Sequence, residues 1–64
     1  MEKSRSEIEI IIDEWIFNER NRSMIKRRML DGITYERLAE EFDLSVQQTK
    51  NIVYKCRDIL SKHL

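Results

Sequence analysis

Apolar residues recur at every third or fourth position along most of the chain, and nowhere do they alternate with polar ones over the length of a strand. That period belongs to amphipathic helices. Ile8, Ile11, Ile12, Trp15 and Ile16 keep the spacing of one helical stripe and predict a first helix from about Arg5 to Phe17. Ser4 or Ser6 suits its cap, and Glu7 and Glu9 suit the positive end of its dipole. Ile10 and Phe17 lie off the stripe as surplus apolar side chains. Asn18 and Asn21 signal a break and a new cap. A second helix then runs from about Glu19 to Leu30, with Met24, Ile25 and Met29 inward and Leu30 at the edge. Asp31-Gly32 is its stop, since Gly takes the left-handed conformation readily.

The second half reads as two more helices. Thr34 is a good cap for a third helix of about nine residues, whose apolar face is Tyr35, Leu38, Ala39 and Phe42. Asp43-Leu44 forms the turn. Ser45 opens the fourth helix, and Gln48 three residues later completes a capping box. Thr49, Ile52, Val53, Cys56, Ile59 and Leu60 form its inward stripe as far as about Lys62, a length of roughly 27 Å. The expected fold is all-α: a single domain of four helices over residues 1–64, with no sheet. Within it, residues 1–17 form an N-terminal helix suited to dimerisation and residues 18–62 a helix-turn-helix region.

Composition narrows the function. At 64 residues the chain buries only about 60% of the surface its unfolded form exposes, so good packing or a partner must make up for its size. Cys56 is the only cysteine, which excludes an internal disulfide and points to a reducing, cytoplasmic setting. One Cys and one His cannot furnish a four-ligand metal site, and neither metal nor cofactor is expected. No apolar run exceeds three residues, far short of a membrane span or a signal peptide's core. No nucleophile, base and orienting group come together in the sequence, which argues against an enzyme. Glu40-Glu41 reads as helix surface, Cys56 as a small buried hydrophobe, and His63 as a group of the last helical turn.

Formal net charge is zero, but it is distributed in blocks: −4 over residues 1–19, +5 over 20–30, −4 over 31–43 and +3 over 44–64. The run Arg20, Arg22, Lys26, Arg27, Arg28 has two readings. One is a face for phosphate or a protein partner; the other is a solvated helix face neutralised by the acidic blocks beside it. Ile10, Ile11, Trp15 and Phe17 likewise read either as core or as the seam of a homodimer. A dimer would carry two recognition helices about 34 Å apart and read a palindrome.

The short link between the third and fourth helices matches a helix-turn-helix, with small Ala39 where the two press closest. Early in the fourth helix, Val46, Gln47, Lys50, Asn51 and Lys55 do not point inward. Gln and Asn amides pair with adenine edges, and Lys reaches phosphates. Ser45 and the free N–H groups of the helix start suit a phosphate.

The run from Thr34 through Leu38-Ala39, Phe42-Asp43-Leu44-Ser45 and Thr49 to Ile52 resembles region four of bacterial sigma factors, and the segment Arg20 to Gly32 is similar to the helix that precedes it there. The resemblance covers about residues 18–62 and leaves the first helix outside. It implies sequence-specific binding of double-stranded DNA in transcription control, with docking on RNA polymerase, and small phage-encoded regulators look similar. It places base contacts on Val46, Gln47 and Asn51 and phosphate contacts on Thr34, Gln48, Lys50 and Lys55; Ser45, Arg27 and Arg28 join the phosphate set. The departures are Asp43 at the family's turn Gly, Val46-Gln47 for its usual Arg-Glu, and Thr49 for its common Val. The base preference therefore does not carry over. The parts of a sigma factor that grip the polymerase core or melt a promoter have no counterpart here. The alternative reading is a protein-interaction module that binds RNA polymerase or another regulator without touching DNA.

Overall fold

The computed structural model describes residues 3–64 and is all-helical: α1 (Arg5–Trp15), α2 (Glu19–Asp31), α3 (Tyr35–Phe42) and α4 (Val46–Ser61). No strand occurs among the described residues. Each helix opens on a side-chain cap. Ser4, Asn18, Thr34 and Ser45 accept from the backbone N–H of Glu7, Asn21, Arg37 and Gln48 respectively. Such caps satisfy donors that a helix start otherwise leaves orphaned.

The first helix is shorter than the periodicity implies. It ends at Trp15 rather than Phe17, because Ile16 swings into extended backbone while its N–H still bonds the Ile12 carbonyl. Arg22 closes this end: its Nε donates to the Ile16 carbonyl at 3.0 Å and its Nη2 to the Phe17 carbonyl at 3.4 Å. The second helix runs one residue past Leu30. Gly32 then takes the left-handed conformation at φ 68°, and the N–H groups of Gly32 and Ile33 both reach the Arg27 carbonyl.

Asp43 ends α3 in the same left-handed region, at φ 55° and ψ 48°. The Leu44 N–H bonds the Ala39 carbonyl at 2.9 Å and the Asp43 N–H bonds that of Glu40 at 3.4 Å, the paired closure of a Schellman motif. After each left-handed residue comes an apolar one, Ile33 or Leu44, that packs on the core. After each of these comes the next cap, Thr34 or Ser45. Only Asp43, Leu44 and Ser45 separate α3 from α4.

All four helices contribute to one core: Ile12 from α1, with Ile16 just beyond it, Met24 and Ile25 from α2, Leu38 from α3, and Val53, Cys56 and Leu60 from α4. Thr49 is the one fully buried polar side chain among the described residues, and its Oγ1 donates to the Ser45 carbonyl at 2.9 Å. The desolvation cost of a bare hydroxyl is thereby avoided. Both α2 and α4 pack against every other helix, whereas α1 and α3 do not meet.

Two residues of the expected stripes stand partly outside the core: Trp15 is 39% exposed and Ile59 37%. At about 100° per residue, Ile59 sits about 60° from Cys56 and 100° from Leu60, on the shoulder of the stripe. Trp15 likewise sits about 60° from Ile12. His63, beyond the end of α4, lies flat on Trp15 with ring centroids 3.7 Å apart and planes within 4°. No helix among the described residues is long and apolar enough to cross a membrane.

Candidate nucleic-acid interface

Five residues of α4 (Thr49, Ile52, Val53, Cys56 and Leu60) turn inward, which fixes what its opposite side presents. Gln47, Asn51, Tyr54 and Asp58 follow one another at spacings of four, three and four and are all exposed. Gln47 Nε2 donates to Asn51 Oδ1 at 3.0 Å. The pair then offers a free acceptor, Gln47 Oε1, and a free donor, Asn51 Nδ2. An adenine edge in the major groove presents the complementary donor and acceptor. Val46 is half-buried on the flank of this stripe.

The start of α4 is held rigidly. Ser45 Oγ accepts from the Gln48 N–H at 3.1 Å, and Gln48 Oε1 accepts from the Ser45 N–H at 3.0 Å. Gln48's amide oxygen is thus committed to the cap, and its Nε2 remains to donate outward. Among the described residues, the N–H groups of Val46 and Gln47 have no protein acceptor and face the helix entrance. Thr34 plays the same capping part at α3, with its hydroxyl hydrogen free to donate.

The charge blocks sort themselves by ion pairing. Lys26 lies 2.7 Å from Asp13 of α1, and Arg22 lies 4.0 Å from the same carboxylate. Arg27 Nη2 donates to Glu41 Oε1 of α3 at 2.7 Å, and its Nε lies 2.7 Å from the other carboxylate oxygen without making a hydrogen bond to it. Arg28 donates to the Ile33 carbonyl at 2.9 Å, and Arg20 to the Asn21 side chain at 3.3 Å. Every cation of the +5 block therefore has an internal partner, mostly on the acidic helices either side. The basic residues of α4 form no ion pair among the described residues. Lys50, Lys55 and Arg57 thus leave α4 with positive charge that no carboxylate among the described residues neutralises.

Of the expected phosphate contacts, Lys50 and Lys55 flank the Gln47–Asn51 stripe on opposite sides of α4. Thr34, Ser45 and Gln48 sit at helix entrances, and Arg27 is tied to Glu41. Arg28 stands against Tyr35, its guanidinium carbon 4.4 Å from the ring centroid. Three further side chains join this surface: Tyr35, Tyr54 and Arg57. The i, i+4, i+7 spacing of Lys50, Tyr54 and Arg57 is their signal in the sequence.

The four expected seam residues do not make one surface. Ile11 is half-buried against the core. Ile10 is 55% exposed and lies about 140° round the helix from Trp15. Trp15 and Phe17, the latter 77% exposed, do meet, in an apolar groove of about 450 Å³ that Ile52, Cys56 and Ile59 also line. Burial raises the Cys56 thiol above its ordinary pKa, as suits an inert, apolar position. Comparison of the chain with protein-family models, with curated proteins and with solved structures gives no match. The functional reading therefore rests on these side chains.

Proposed function

We propose that the protein is a sequence-specific double-stranded DNA-binding regulator of transcription, in which α3 and α4 act as a helix-turn-helix and the first turns of α4 enter the major groove. One observation carries the reading: Lys50 and Lys55 of α4 form no ion pair among the described residues and stand on either side of an exposed Gln47–Asn51 amide pair, whereas Arg22, Lys26 and Arg27 of α2 pair with Asp13 and Glu41. Base readers between phosphate-seeking flanks are what a recognition helix requires. In this reading Gln47, Asn51 and the Val46 methyl groups face bases. Lys50, Lys55, Ser45 and Gln48 hold phosphates beside them, and Thr34 does so at the start of α3. The resemblance to sigma region four points the same way.

Selection of random duplexes against the purified protein tests this directly. A defined motif is expected, with binding that falls steeply as salt rises because phosphate contacts release counterions. Asn51→Ala is expected to relax preference at one base pair by about 1–3 kcal/mol, and Lys55→Ala to weaken all sequences alike. Enrichment of no motif, with affinity insensitive to salt, would sink the reading. A second reading, as a module that binds RNA polymerase or another regulator without DNA, is favoured by the groove at Trp15, Phe17 and Ile59. Apolar docking there would persist at high salt and be lost in Phe17→Asp.

A further inference from the structure

The two flanks of α4 are chemically unlike. On the side of Ile52, Lys55 and Ile59 the helix borders the apolar groove, and Lys55 is the one cation that α4 supplies to it. On the other side, Lys50, Tyr54 and Arg57 form a ridge along α4. The ridge continues without interruption onto α3 and α2. The Tyr54 ring meets the Tyr35 ring edge-on at 6.2 Å. The Lys50 ammonium lies 5.8 Å from the Tyr35 centroid, and the Arg28 guanidinium covers that ring at 4.4 Å. Arg28 and Arg57 then face each other across an open hollow of about 360 Å³ that Met29 and Gly32 complete. Three cations from two helices thus line up along a pair of aromatic rings, and none of them has an acidic partner among the described residues.

Resting on the DNA-binding reading, we propose that this ridge, Lys50–Tyr35–Tyr54 with the Arg28–Arg57 hollow at its end, is a track for consecutive phosphodiesters of one DNA strand. The protein grips that strand strongly and the opposite strand weakly. The chemistry fits the class of ligand. Guanidiniums bind phosphate oxygens through paired N–H donors. The Tyr54 hydroxyl, on a side chain 52% exposed, donates between them. Stacking on Tyr35 holds Arg28 in place before any ligand arrives, so little of its freedom is lost on binding. Asp58 continues the outward stripe just past Tyr54 and would repel phosphate. It marks where the groove-facing length of α4 ends and turns the strand aside towards Arg57.

The test uses the full chain and the duplex selected as its site. Arg57→Gln is expected to weaken binding about tenfold, the cost of one charge-assisted hydrogen bond, and to lower the slope of log affinity against log salt by about one, with base preference unchanged. Tyr54→Phe is expected to weaken binding without changing the slope. Lys62→Gln makes the same charge change beyond Asp58 and is expected to leave the slope as it was. Single methylphosphonates placed in turn along each strand are expected to weaken binding at neighbouring positions of one strand only. All these residues are exposed or half-buried, and circular dichroism checks that each variant stays helical. Duplex binding that is unmoved by Arg57→Gln, moved as much by Lys62→Gln, or sensitive to methylphosphonates equally on both strands overturns the one-strand grip and leaves the DNA reading intact. No duplex binding by the unaltered protein overturns both.

Discussion

Asp43 and Cys56 show how single residues set local terms of the fold. Asp43 holds a left-handed conformation that costs most residues about 1–2 kcal/mol, and Asp less. It stays there because the closure onto Ala39 and Glu40 and the burial of Leu44 depend on it. Asp43→Val is expected to lower stability by about 1–2 kcal/mol, and Asp43→Gly to leave it unchanged or raise it by up to about 1 kcal/mol. Urea titration followed by circular dichroism separates the two, and equal effects would mean that backbone strain is not what the site feels. Cys56 is neutral in the core, and burial raises its pKa above the unfolded value. The stability linked to that proton is therefore fully present below the ordinary thiol pKa and is lost as pH rises through the folded value. Wild type should lose more stability than Cys56→Ala between neutral and alkaline pH, a difference free of the Tyr and Lys titrations common to both. Parallel pH profiles would show that the thiol is uncoupled from folding.

At the scale of elements, the four helices and the caps of α3 and α4 can be read from the sequence, because capping and periodicity are local; for α2 the sequence offers Asn18 and Asn21, and Asn18 takes the role. Thr34 and Ser45 act where their residue type and spacing place them. For α1 the sequence offers both Ser4 and Ser6, and Ser4 takes the role. What a local pattern cannot carry is anything decided between helices. The end of α1 is set by Arg22 reaching back six residues to the Ile16 carbonyl, a contact no window of α1 contains. Trp15 and Ile59 keep a helical period but sit on the shoulder of their stripes, and only the placement of a neighbouring helix decides whether a shoulder is covered. The basic run of α2 is the clearest case, since composition allows a ligand face or an internal glue with equal ease. In the structure Lys26 pairs with Asp13 and Arg27 with Glu41, contacts between helices that composition does not reveal. On the candidate interface, Gln47, Asn51, Lys50 and Lys55 follow from one helix's pattern, whereas the ridge through Tyr35 and Arg28 needs three helices in register. Because the Arg27–Glu41 pair is partly exposed, it contributes at most about 1 kcal/mol. Glu41→Gln should therefore cost less than that in stability. It should also tighten DNA binding by releasing Arg27 and removing a negative charge beside the α3 entrance. Fluorescence anisotropy on the selected duplex measures this, and weaker binding in Glu41→Gln would mean that Arg27 must be held by Glu41 to act.

Taken whole, the molecule makes α1 part of the fold that supports α4 rather than an appendage to it. The resemblance to sigma region four begins near residue 18, which invites the view that residues 18–62 stand alone. The packing argues otherwise. Ile12 and Ile16 are buried among Met24, Ile25, Val53, Cys56 and Leu60, so α1 and its end supply one wall of the only core cluster among the described residues. A chain of 64 residues has a net stability of about 3–10 kcal/mol. Truncating one fully buried isoleucine to alanine costs about 2–5 kcal/mol. Loss of both, about 4–10 kcal/mol, together with the Asp13 carboxylate that Lys26 and Arg22 share, is comparable to the whole of that stability. A fragment of residues 18–64 should accordingly show little helix by far-ultraviolet circular dichroism at 25 °C and no specific DNA binding, since the tilt of α4 depends on the wall α1 provides. Ile12→Ala in the full chain should lose about 2–5 kcal/mol in urea titration, whereas Phe17→Ala, at an exposed position, should stay within about 0.5 kcal/mol of wild type. A fragment that melts cooperatively and binds the selected duplex would show that the recognition half folds by itself and that α1 serves a separate purpose.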